Sequence, residues 1–99
     1  MLWDAGSLTN QSTGTQNAVY SVEKGRNVTT HPVTFGTAFT SPPLVFVTFR
    51  GNPQGHASID AVWVKDDVMT TSCKILVADR SGSGNVTLNW FAIQPDSMS

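Results

Sequence analysis

Residues 39–50 limit what this chain can become more than any other stretch. Pro42 and Pro43 stiffen the entry, Gly51 and Pro53 mark the exit, and between them Leu44, Val45, Phe46, Val47 and Phe49 place apolar side chains on both parities. A run this short, rich in β-branched and aromatic residues and bounded by turn formers, favours a strand over a helix. A strand that is apolar on both faces needs cover on both. It is therefore expected at the centre of a sheet, with Val45, Val47 and Phe49 facing one way and Leu44, Phe46 and Thr48 the other. One set should meet the domain's own core and the other a second layer or a partner subunit.

With 99 residues the chain is expected to form a single domain over 1–99, large enough for one core. Charged residues make up 13% of it, about half the ~25% of an average globular domain. Ser, Thr, Asn, Gln and Gly supply the polarity instead, a composition that suits an extracellular or virion surface. The basic residues Lys24, Arg26, Arg50, Lys65, Lys74 and Arg80 are scattered, so nothing resembles the electrostatic footprint of a nucleic-acid binder. No apolar run approaches the ~18 residues of a membrane-spanning helix, so membrane insertion is not expected. The N-terminus lacks the basic and apolar regions of a signal peptide.

The chemistry-bearing residues argue against an enzyme. Asp60, Asp66, Asp67 and Asp79 include enough carboxylates for a glycosidase pair, but such a pair needs a deep cleft that a small β domain without long loops seldom has. The Ser-rich loops contain no Gly-x-Ser-x-Gly elbow. His31 and His56 have no Cys or His at ligand spacing, so neither a metal nor another cofactor is expected. Cys73 is the chain's single cysteine; it excludes an internal disulfide and reads as a buried thiol.

Strands are expected over residues 2–6, 17–22, 32–35, 39–50, 56–65, 68–78 and 85–93, with loops over 7–15, 23–27, 51–55 and 79–84. Pro32 places the start of its strand at a sheet edge. In 56–65 the alternation sets Ala57, Ile59, Ala61 and Trp63 against Val62 and Val64, and Trp63 is expected in the core. In 85–93, Val86, Leu88, Trp90 and Ala92 form the apolar parity. Six or seven short strands joined by turns, with no sustained helical period, predict an all-β antiparallel sandwich.

Val33-Thr34-Phe35, the Pro-Pro step that opens the apolar strand, and Val86 to Ile93 with its Trp-x-Ala-Ile close together resemble the H-type lectins, the family of snail agglutinins and discoidin C-terminal domains. The resemblance covers residues 25–94. It implies a six-stranded sandwich that associates as a homotrimer, or as a hexamer built from it, and binds glycans of GalNAc or Gal type near the subunit boundaries.

The resemblance also implies a set of ligand-binding residues. Asn27, after Gly25 and Arg26, stands where the family has an Asp that binds sugar hydroxyls; an Asn side chain keeps an acceptor and adds donors. His56 falls where the family has a sugar-binding Arg. Asp79 and Arg80 occupy the segment in which the family carries its Trp-His pair and a later aromatic. A carboxylate that grips two hydroxyls and a guanidinium are the polar contacts available there. The expected function is a multivalent carbohydrate-binding, receptor-recognition module. The alternative is a structural trimerisation or adhesion domain of a larger cell-surface or viral or phage fibre protein, with no sugar site.

Overall fold

The computed structural model describes residues 1–12, 18–22, 26–51, 59–79 and 85–96. Among them, β1 (Leu2–Ser12), β2 (Ala18–Val22), β3 (Arg26–Thr34), β4 (Leu44–Gly51), β5 (Ile59–Val64), β6 (Ser72–Asp79) and β7 (Asn85–Gln94) follow in chain order. They build two antiparallel sheets, one of three strands in the order β1-β7-β4 and one of four in the order β2-β3-β6-β5. The all-β sandwich expected from the alternation is the fold observed.

One apolar cluster fills the space between the sheets. The three-stranded sheet supplies Val86, Leu88, Trp90 and Ala92, every second residue of β7, and the four-stranded sheet supplies Val33, Cys73, Ile75 and Val77. Phe35 and Phe39, from the connection between β3 and β4, complete it. Their rings meet edge to face at 5.2 Å, and Phe35 lies 5.6 Å from the indole of Trp90. Such offset aromatic pairs contribute beyond the area they bury. Cys73 is buried as expected, and burial, followed by the negative charge of Asp67, pushes its thiol up to about 11. A thiol held this far from ionisation is a poor nucleophile.

Five expectations are corrected. The apolar strand 44–50 is an edge strand, and the centre of its sheet is β7, which pairs with β1 on one side and β4 on the other. The first strand is eleven residues long rather than five. Ser7 and Thr9, which make the stretch read as loop, are exposed positions of a strand whose alternate residues Leu2 and Leu8 pack on the core. The return strand starts at Ser72 rather than Val68, because residues 65–71 form the whole connection from β5.

The fourth correction concerns Trp63, which is 36% exposed and lies outside the core. The pairing of β5 with β6 shifts register between Ile59 and Ala61. An extra residue at such a bulge reverses the facing of everything after it. Ile59, Val62 and Val64 therefore pack on the core, while Ala61 and Trp63 face outward. Pro32 does not start its strand as expected, since β3 begins at Arg26 and takes in two residues expected in the preceding loop, but one flank of β3 has no described partner at Pro32. β2 pairs only with residues 26–29, so at Pro32 β3 has β6 as its partner and no described strand on the other side.

Two polar clamps fix the approach to β4. Gln94 accepts from the Thr40 and Ser41 amides at 2.9 and 3.2 Å and donates to Thr40 Oγ1 at 2.6 Å. Asp4 accepts from the Gly36 amide at 2.6 Å, and Thr37 Oγ1 donates to the Trp3 carbonyl at 2.9 Å. The connection thus hydrogen-bonds to both strands of the sheet that β4 joins.

Candidate ligand-binding site

Of the four residues expected to hold a ligand, His56 and Arg80 lie outside the described residues. Asn27 and Asp79 are brought together as facing partners in the β3–β6 register, and Ile59 of β5 stands on the other side of Asp79. This is the last row of the β3–β6 pairing. Asp79 is the last residue of β6 and is fully buried, so its carboxylate has no surface to offer a sugar. It can act on a ligand only by positioning what surrounds it, and its place at the end of the strand explains why it reads as loop in the sequence.

A second polar group joins the two sheets. His31 is 3% exposed, with Nε2 at 2.8 Å from Thr29 Oγ1 and Nδ1 at 3.3 Å from Gln11 Oε1 of β1. The Gln11 carbonyl only accepts, so Nδ1 carries the proton and Nε2 accepts from the Thr29 hydroxyl. Burial holds the imidazole pKa below its ordinary 6.5, because a charge is costly in a desolvated site.

This has a signed consequence for stability. The unfolded chain takes up the proton first as pH falls through ~6.5, and the folded state resists it. Stability should be level above about pH 7.5 and decline below it, by at most ~1.4 kcal/mol per pH unit for a single group. Urea titrations at pH 7.5, 6.5 and 5.5, compared with His31→Gln, isolate the effect. Identical pH slopes in the two proteins would remove His31 as its source.

The outward faces of the two sheets differ in character. On the three-stranded sheet the register lines up Trp3, Ile93 and Leu44 in one row, Ala5, Phe91 and Phe46 in the next, and Ser7, Asn89 and Thr48 in a third. The first two rows are wholly apolar. Trp3, Phe46, Leu44 and Phe91 are 59, 57, 48 and 37% exposed, and the rings of Trp3 and Phe91 lie 6.1 Å apart. Polar groups bound the patch at both ends: the Met1 ammonium paired with Asp96 at one, and Ser7 Oγ donating to Asn89 Oδ1 at 2.6 Å at the other.

On the four-stranded sheet, Trp63 stands outward beside the buried Leu76, its partner in register, with Thr30 on the far side of Leu76. Lys74 belongs to the next outward row, and Asp67 lies between Lys65 Nζ at 3.2 Å and Lys74 Nζ at 3.6 Å. The hydrogen bond from Lys65 holds the Asp67 carboxyl below its ordinary value. Sequence reasoning missed this face because Trp63 shares a parity with Ile59. The signal that points the other way is the Val62, Val64 pair.

No protein-family model matches the chain, and no curated protein matches it. Among the described residues no group of three His, Cys, Asp or Glu could hold a metal ion, and no helix is long and apolar enough to cross a membrane.

Proposed function

We propose that this chain is a self-associating β-sandwich recognition module, assembled through the outward face of its three-stranded sheet as a homotrimer. The observation that carries this reading is the uncharged patch of Trp3, Leu44, Phe46, Phe91 and Ile93. With large side chains contributing ~150–250 Å² each, it leaves on the order of 400 Å² of apolar surface per subunit. That is the size of the largest apolar patch on a typical monomer, which is often functional. At ~25 cal/mol per Å² its burial yields about 10 kcal/mol per subunit, against the ~4–15 kcal/mol that association costs. Closed symmetry covers the patch on every copy at once.

A carbohydrate ligand is the second element of the proposal. It is supported by the likeness of Val33 to Phe35, the Pro42-Pro43 step and Val86 to Ile93 to H-type lectin motifs. Multivalency suits it, since weak sugar sites gain avidity when displayed together. The low charge suits a cell or virion surface. In the competing reading, the same association face serves a structural adhesion domain that binds no glycan.

Sedimentation velocity at micromolar concentration tests the assembly. A species of three times the 10.6 kDa chain is expected, and Phe46→Asp should reduce it to a folded monomer. Val47→Asp should instead unfold the protein, because Val47 packs on the core. A wild-type monomer throughout the concentration range would overturn the assembly. A glycan array then separates the recognition module from the purely structural one.

A further inference from the structure

We propose that the outward face of the four-stranded sheet binds a carboxylate-bearing pyranose, stacked on Trp63 with its carboxylate held by Lys65 and Lys74. The proposal rests on the carbohydrate reading above and gives it a location and a ligand class.

Three observations converge on this face. Trp63 is turned outward by the β5 bulge and half-exposed, while the buried Leu76 beside it gives the indole a fixed apolar neighbour. An indole supported in this way is a platform for the C–H face of a sugar ring, which is amphipathic in the same sense. Lys74 lies one outward position from Leu76 along β6, so Trp63 and Lys74 are diagonal neighbours on one face, a separation of ~7–8 Å that long side chains bridge. Lys65 continues the outward parity from Trp63, and its amide donates to the Lys74 carbonyl at 2.9 Å.

Charge selects the ligand. The two ammonium groups share one carboxylate, Asp67, so these three ion-paired groups sum to one positive charge. Each ammonium has three donors, more than Asp67 uses. A carboxylate entering from solvent forms charge-assisted hydrogen bonds with them, and Asp67 remains to accept from ring hydroxyls. A neutral pyranose gains the stacking contact alone. Val28, Leu76 and Ala78 are buried on this face, while the side chains of Trp63, Lys65 and Lys74 are exposed on it and point away from the proposed association face on the other sheet.

The test follows the three tryptophan indole N–H resonances by two-dimensional NMR, assigned with Trp63→Phe. Methyl glycosides of N-acetylneuraminic acid and of glucuronic acid are titrated against methyl galactoside. The acidic sugars are expected to move the Trp63 resonance and leave Trp3 and Trp90 in place. Trp63→Ala should abolish their binding, and the double variant Lys65→Gln/Lys74→Gln should weaken it by about tenfold, to the level of the galactoside. Equal affinity for galactoside in the wild type overturns the charge selection. Sugar-induced shifts at Asn27 and residues 80–84 with Trp63 unmoved overturn this location while the carbohydrate reading survives. A glycan array with no binder at all overturns the carbohydrate reading itself.

Discussion

Leu88→Ala is expected to lower the unfolding free energy by ~2–5 kcal/mol, because the lost methyl groups leave a cavity that the surroundings fill only in part. Leu88 is fully buried in the central strand of its sheet, between Leu8 on β1 and Phe49 on β4 in register, with Val86 and Trp90 on either side along β7. Two paired strands limit how far its backbone can move to close the gap. For a domain whose whole stability is ~5–15 kcal/mol, the loss is a large fraction. Urea unfolding at fixed protein concentration measures it, since association would itself shift the midpoint. Leu88→Met, which nearly conserves volume, should cost less than ~1.5 kcal/mol. A loss below ~1 kcal/mol for the alanine variant would mean that the sheets do not close over Leu88.

Gly6→Ala should be nearly as damaging, although it adds only a methyl group. Gly6 and Trp90 are facing partners in the β1–β7 pair, and the indole lies across the glycine. A Cβ at position 6 would sit 2.8 Å from Trp90 Cζ2 and 3.0 Å from its Cε2 and Nε1. The ring has no easy retreat, because Phe35 packs against it at 5.6 Å. Overpacking of this kind costs ~1–3 kcal/mol. The proof of mechanism is a double-mutant cycle. Trp90→Leu destabilises by itself, yet Gly6→Ala should cost far less in that background, giving a coupling of ~1 kcal/mol or more. Additive losses would show that the penalty arises from the strand backbone rather than from the indole.

Much of the sandwich was legible in the order of residues. The period-two alternation of β7 is complete in the sequence, and Val86, Leu88, Trp90 and Ala92 are the buried parity. Cys73 is interior as expected, and at Pro32, which has no N–H, β3 has a described strand on one side alone. These features are legible because they depend on local rules. Side-chain alternation, missing N–H groups and turn formers act within a few residues of where they occur.

The sites were less legible, and for one reason. Whether a residue faces a core, a partner or solvent depends on which strand lies beside its own. Residues 44–49 carry apolar side chains on both parities, which the sequence alone determined. That the strand is an edge, with Val45 and Val47 inward and Leu44 and Phe46 outward, was decided when β1 and β4 took opposite flanks of β7. A single bulge between Ile59 and Ala61 turned Trp63 out and Val64 in, a reversal that no alternation count contains, because the extra residue is defined by the partner strand. Asn27 and Asp79 are separated along the chain and meet only in the β3–β6 register. Local sequence therefore determined the strand character and most of the core, whereas pairing between distant strands decided which apolar residues were left exposed and which polar residues came together.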